Sequence, residues 1–471
     1  MLTSCEDEKE VTPALLTEDV IYSSGEKLRL LGRIITNQEV NAADHGFYLS
    51  ENESFSQPII ISLGARQGPG RFIGEVSGLS IRKTYYVKAF IENNGQQIFG
   101  NILTTSTLSP AVTSIVPNNG KAGIVISISG RNFTSDTKVF FGEKPAVVVG
   151  IDFESRIRVR VPEAPGIRSV PVKVVSQGSE LVLPQQFSYT TGTYSKIGNF
   201  PFAERFFDNI WLQDGASFYA GLGTLRGLAM NNSMWKYEVG TGQWTQTEFS
   251  GGPLWMSFSS GPYFGGGSSV LGRAPFVVAK DFWRINNGIF EKLQDLPFDV
   301  ANAASFTLGN ELYVIGGIIG FSLETYRYDA ALRQWQRIAN APFPITKSTT
   351  TFTYQSKAYF INPQTREVQA FDANTQKWNY VTKFPANYGN GGGFGVVIGD
   401  KAYVGLEDRS NQIWELDLLT LNWAAKNEFP GILQAKNAGV FVHNGLIYLL
   451  RSGEIQFSGP MEFYVFDPNG I

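Results

Sequence analysis

The sequence predicts an all-β protein, and three observations carry that prediction. Short runs of alternating apolar and polar residues, bounded by Gly, Pro and Asn, fill the chain, whereas helical periodicity is hard to find. An aromatic residue followed seven positions later by proline recurs as Tyr194/Pro201, Phe290/Pro297, Trp335/Pro342, Trp378/Pro385 and Trp423/Pro430, and Trp244 has Gly251 in the proline slot. These aromatics stand 43 to 50 residues apart, the length of a unit of four short strands. Repeats of that kind predict a β-propeller with one four-stranded blade each.

Composition sets the outer bounds. The 471 residues are 43% hydrophobic, enough for several cores, and the formal charge of −3 with no Lys/Arg run gives no long-range pull toward nucleic acid. Cys5 is the sole cysteine, so no intramolecular disulfide forms. No run of 18 apolar residues exists, so any membrane attachment is by lipid alone. Residues 1–10 have their own character. Leu2-Thr3-Ser4-Cys5 resembles the last four positions of a bacterial lipobox, and Glu6, Asp7, Glu8 and Glu10 resemble the acidic tract of surface-exported Bacteroidetes lipoproteins. The resemblance implies a signal peptide ahead of residue 1, an acylated Cys5 and a lipid anchor in the bacterial outer membrane, facing outward.

Residues 11–108 read as the first immunoglobulin-like sandwich. Leu28 to Ile34 alternates, Gly46 to Ser50 begins a second hydrophobic stretch, and Thr84 to Phe90 is the strongest strand. The stretch from Gly78 through Tyr85-Tyr86 to Phe99-Gly100 resembles fibronectin type III-like modules, and the tyrosines read as packing and corner residues. Residues 109–190 read as a second sandwich. The order Pro117 to Gly123, Ile124 to Gly130, Val139 to Gly142, Ala146 to Val149, Ile157 to Pro162 and Val170 to Val175 resembles the IPT/TIG domain.

Residues 191–471 hold the repeats. The third is clearest: Ala303 to Leu308, a turn at Gly309-Asn310, Glu311 to Ile315, Gly316-Gly317, Thr325 to Asp329, then Trp335. The glycine pair admits backbone closed to residues with a Cβ. The segment resembles a kelch propeller, although the pair is otherwise seen only in Gly265-Gly266-Gly267 and is read as decaying to Ala220-Gly221, Val404-Gly405, Asn362-Pro363 and Leu449-Leu450. The last repeat ends after its third strand, Glu462 to Asp467, and Tyr194 to Ile197 has the form of the missing fourth. The expectation is six blades, closed by residues 193–200.

Catalytic chemistry is sparse. The two histidines, His45 and His443, fall in different domains, which removes a two-histidine copper site and disfavours zinc; no metal or cofactor is expected. No phosphate loop, nucleophile elbow or HExxH stands in the chain. Asp329, Asp372, Asp417 and Asp467 recur in phase where a turn begins, and read as turn caps.

The kelch resemblance implies ligand contacts from the segment after the aromatic and proline and from the loop after the second strand. These are Arg205, Trp255, Asn302, Lys347, Tyr388, Asn390, Lys436 and Asn437, then Arg226, Arg273, Phe321, Arg366, Arg409 and Arg451. Aromatics beside Arg, Lys and Asn suit a glycan, and equally a protein ligand. The domain string resembles surface glycan-binding components of polysaccharide uptake systems, which implies a non-catalytic binder with an outer-membrane transporter as partner. A sugar-modifying enzyme resembling sialate mutarotases, or a protein-interaction scaffold, stands as the alternative.

Overall fold

A computed structural model of the protein describes residues 13–202, 204–225, 229–271, 277–317, 322–389, 391–407, 409–454 and 459–471. The described residues form strands and turns without a helix, in two compact units, one ending at Thr190 and one spanning Thr191–Gly470.

In the first unit, Leu28–Ile35 alternates buried and exposed side chains and pairs antiparallel with Ala14–Ser23 and Gly70–Val76. A four-stranded sheet follows the order Ile59–Ser62, Asp44–Ser50, Thr84–Asn93, Gln96–Ser106. Leu28 and Leu30 from one sheet meet Phe47, Leu49, Tyr85 and Val87 from the other in one core, as period-two patterning requires. The Tyr85 hydroxyl accepts the Ser80 N–H at 3.2 Å, a corner role. His45 is buried with Nδ1 2.7 Å from Gly64 O, again structural.

The remainder of this unit departs from the expected pair of separate sheets. Lys144–Asp152 pairs with Lys138–Phe141 through its first residues and with Arg156–Arg160 through its later ones. One strand thus joins two sheets into a seven-stranded sheet, and its edges, Ala111–Val116 and Ser179–Val182, approach each other in a nearly closed barrel. Ile126, Ile128, Phe133, Phe141, Val159, Val172 and Phe187 fill it. A small sheet of Asn119–Gly120, Phe187–Tyr189 and Ser169–Val170 covers part of it.

The second unit contains six four-stranded antiparallel sheets. Five take consecutive strands; the sixth takes Ala435–His443, Leu446–Gly453 and Glu462–Asp467 and completes itself with Thr193–Asn199, Tyr194 facing Phe466. The first strands are Ile210–Asp214, Phe258–Ser260, Ala304–Leu308, Thr351–Tyr354, Phe394–Ile398 and Ala435–His443. Each touches the next, and the sixth touches the first.

Burial explains the stacking. In Glu311–Ile315 the last four residues are buried, whereas Gln334–Ile338 at the sheet's outer edge is half exposed. Gly316 is required where chains close up: a Cβ there would sit 2.0 Å from Ile345 O, and its φ is +73°. The repeating aromatic seals neighbouring sheets, Trp335 packing on Phe282, Phe298 and Tyr328, and Trp244 on Phe200, Tyr237 and Phe463. The buried indole N–H groups of Trp244, Trp335, Trp378 and Trp423 have no partner among the described residues, so these rings act through apolar area. Trp335→Phe is therefore expected to change unfolding free energy by less than about 1.5 kcal/mol, and Trp335→Ala to lower it by about 3–5 kcal/mol, both readable from urea titrations.

Candidate functional site

The first strands of all six sheets line one axial cavity of about 440 Å³. Its wall is mixed: Gln213, Ser260, Ser305, Thr307 and Thr353 line it beside Leu212, Phe306, Phe352 and Val396, and among the described residues Lys347 is its only charged lining residue.

One end of this cavity is laced around its rim, from sheet to sheet, by the segments at the starts of the first strands. Met256 N–H donates to Asp208 Oδ2 (2.9 Å), Asn302 N–H to Met256 O (2.7 Å) and Lys347 N–H to Asn302 O (2.9 Å). Gly392 N–H donates to Ser348 O (2.7 Å), Asn437 Nδ2 to Gly392 O (3.0 Å) and Asn209 Nδ2 to Ala438 O (2.7 Å), which completes the circuit. Lys347 also crosses it. Its segment enters the fourth sheet and Asp208 the first, on opposite sides of a ring of six. Lys347 Nζ lies 3.0 Å from Asp208 Oδ1 and donates to Asp208 O (3.1 Å) and Asn209 O (2.9 Å).

Of the residues expected to contact ligand, Asn302, Lys347 and Asn437 are thus brought together, and they are occupied by inter-sheet bonds. Arg205 is buried and donates to Gly453 O and Glu454 O. Tyr388 is buried as well; its hydroxyl accepts the Thr350 N–H at 2.7 Å, so its ring offers no stacking face. Arg451, 1% exposed, donates to Asn437 Oδ1 (2.6 Å) and Ala435 O (2.8 Å) and faces the Phe429 ring. These three support the rim from behind, a correction that follows from burial. Trp255 and Arg366 are half-buried, the Trp255 indole donating to Val270 O and Arg366 Nη1 to Ala386 O. Arg409 and Lys436 are exposed, with Arg409 3.5 Å from Glu454. Arg226, Arg273, Phe321 and Asn390, like Cys5, lie outside the described residues.

Glu407 was not expected here. It is 1% exposed, its Oε1 has no hydrogen-bond partner among the described residues, and it packs so tightly on the cavity-lining Gly393 that a Cβ there would fall 2.8 Å from Glu407 Cγ. Burial pushes its carboxyl up to about 8, against the pull of its own backbone and of Arg451. Burial likewise lowers Arg451 to about 10, so at neutral pH the carboxyl is protonated and the guanidinium charged. Asp208 and Met256 were also unexpected. A repeat-phase signal exists: Asp208, Met256 and Asn302, each two residues before a first strand, share positive φ of 51°, 57° and 53°.

Residues 110–189 match the family model of the IPT/TIG domain. That segment carries an IPT/TIG domain. No curated protein matches the sequence. Among solved structures, that of YjhT is similar over 57% of this chain and 95% of its own, at 16% identity and a TM-score of 0.44. A structural genomics protein of unknown function from Bacteroides thetaiotaomicron VPI-5482 is similar over 73% of this chain and 81% of its own, at 15% identity and a TM-score of 0.28.

Proposed function

We propose that Thr191–Gly470 is a six-bladed propeller of kelch type, and that the protein is a non-catalytic surface binder that holds a glycan at the laced end of the ring. In this reading a lipid on Cys5 anchors it in the outer membrane, the fibronectin type III-like and IPT/TIG modules act as spacer, and an outer-membrane transporter of a polysaccharide uptake system is the partner. The observation that carries the reading is the axial cavity with its row of wall hydroxyls, with half-buried Trp255, exposed Lys436 at the start of the strand Ala435–His443 and exposed Arg409 in the loop after Lys401–Gly405. Trp255 supplies an apolar ring face that its hydrogen bond to Val270 O holds in place, and the cations supply donors for hydroxyls or carboxylates.

Calorimetry and affinity electrophoresis against a polysaccharide panel test it. One glycan is expected to bind, and Trp255→Ala to weaken it about tenfold or more. Unchanged affinity in both Trp255→Ala and Arg409→Ala would remove the site. Anomer interconversion followed by NMR would move the assignment to an enzyme.

A further inference from the structure

The Lys347–Asp208 contact has the form of a site holding its own substitute ligand. The Asp208 carboxylate is an anion supplied by the opposite wall, 30% exposed, and it meets a lysine that is 16% exposed. Among the described residues no other charged side chain is in the lining, so once Asp208 is displaced the field inside the cavity is set by that ammonium. The hydroxyls of Ser260, Ser305, Thr307 and Thr353 line it and make no hydrogen bond among the described residues. Wall hydroxyls that donate or accept suit a polyhydroxylated solute, and the volume of about 440 Å³ exceeds that of a six-carbon molecule.

We propose that the axial cavity binds a small hydroxyl-rich anion, whose charged group takes the place on Lys347 that Asp208 occupies here. Asp208 is then an internal competitor. When it swings away, its Oδ2 releases Met256 N–H, so entry of the anion loosens one link of the circuit around the opening. Lys347 keeps its two carbonyl partners, Asp208 O and Asn209 O, only while that segment stays in place, which ties occupancy of the cavity to the conformation of the rim. The inference rests on the reading of the ring as a propeller with a ligand end. It does not require that the rim bind a polysaccharide.

The test is titration calorimetry of the full chain with gluconate and, as its neutral counterpart, glucose. Gluconate is expected to bind at least about tenfold more tightly than glucose, a difference set by one charge pair in a partly desolvated site. Asp208→Asn, whose amide oxygen can still accept Met256 N–H, is expected to raise gluconate affinity about tenfold by removing the competitor. Lys347→Met is expected to abolish the preference for the anion. Melting curves of both variants report whether the fold survives; should Lys347→Met fail to fold, Asp208→Asn decides alone. Binding by Asp208→Asn but not by the parent protein would support the proposal. Equal affinity for the two probes, gluconate binding retained in Lys347→Met, or none in either the parent or Asp208→Asn would overturn it. The Trp255→Ala polysaccharide measurement is read separately, so either reading can fail alone.

Discussion

Replacing Lys426 with methionine is expected to destabilise the ring-forming unit by about 3–5 kcal/mol. Lys426 Nζ lies 2.6 Å from Glu415 Oε2, with the two side chains 2% and 5% exposed, and donates to Thr191 Oγ1 at 2.6 Å. Lys401 reaches the other carboxylate oxygen at 2.5 Å from a more exposed position. Burial pushes the Glu415 carboxyl up, and the two lysines more than offset it, so the group sits below its ordinary value. Its contribution is therefore present above pH 4.5 and lost as acid titrates it below that. Methionine keeps the length and apolar packing of lysine but leaves a buried carboxylate with one partner. It also loosens ring closure, because Asn427, the next residue, holds Thr191 O and Gly192 O just before the closing strand Thr193–Asn199. Calorimetry of the full chain should show the midpoint of this unit falling by roughly 10 °C. Adding Glu415→Gln should recover more than half of the loss, since no buried charge is then unpaired and Lys401, 37% exposed, can turn to solvent. An unchanged midpoint in Lys426→Met would mean the pair contributes nothing.

Much of this architecture was legible in the sequence, and the parts that were not share a physical cause. Strand alternation and the recurring aromatics mark six sheets because burial is periodic, and the unfinished last repeat points to Thr193–Asn199 as its partner. The glycine pair misled. Aligned on strand register, Gly316-Gly317 corresponds to Gly266-Gly267 and to Leu222-Gly223 and Leu406-Glu407, the last two each two residues beyond the Ala220-Gly221 and Val404-Gly405 read from the sequence. Leu222 and Leu406 hold φ of 55° and 53° without a glycine, a strain of roughly 1–2 kcal/mol each that the surrounding packing must offset. Conformation outlasts residue type there, so a motif search by glycine cannot see it. The same slot in the sixth sheet is Arg451-Ser452, which places the two buried ionisable residues Glu407 and Arg451 at corresponding corners of adjacent sheets. Among the expected contact residues, Asn302, Lys347 and Asn437 lie together at one end of the ring, where their repeat phase puts them. Burial separates Tyr388, Arg205 and Arg451 from the exposed Lys436 and Arg409, and burial of a loop residue is set by packing between sheets that no local pattern encodes.

Glu407→Gln is expected to remove a pH dependence of stability that the parent protein shows between pH 4.5 and about 8. The folded carboxyl keeps its proton up to about 8 because burial disfavours the anion, whereas the unfolded one loses it near the ordinary 4.5. Between those values the folded state binds the additional proton, so stability is greatest at the acid end, falls by up to about 1.4 kcal/mol per pH unit, and levels off above about 8. Arg451 and Tyr388 are the titratable groups facing it. Arg451 stays charged across this window, and Tyr388, whose hydroxyl burial pushes up to about 12, stays neutral, so neither supplies a competing slope. Glutamine has the same shape and no proton to lose, and it fits against Gly393 as the neutral acid does. Urea midpoints from pH 5 to 9 should therefore converge for the two proteins at the acid end and separate above pH 6, with Glu407→Gln the more stable at pH 8. Parallel curves would show that the Glu407 carboxylate finds a partner on ionising, with Arg451 turning from Asn437 to meet it. Asn437→Ala would then unlink the rim and steepen neither curve.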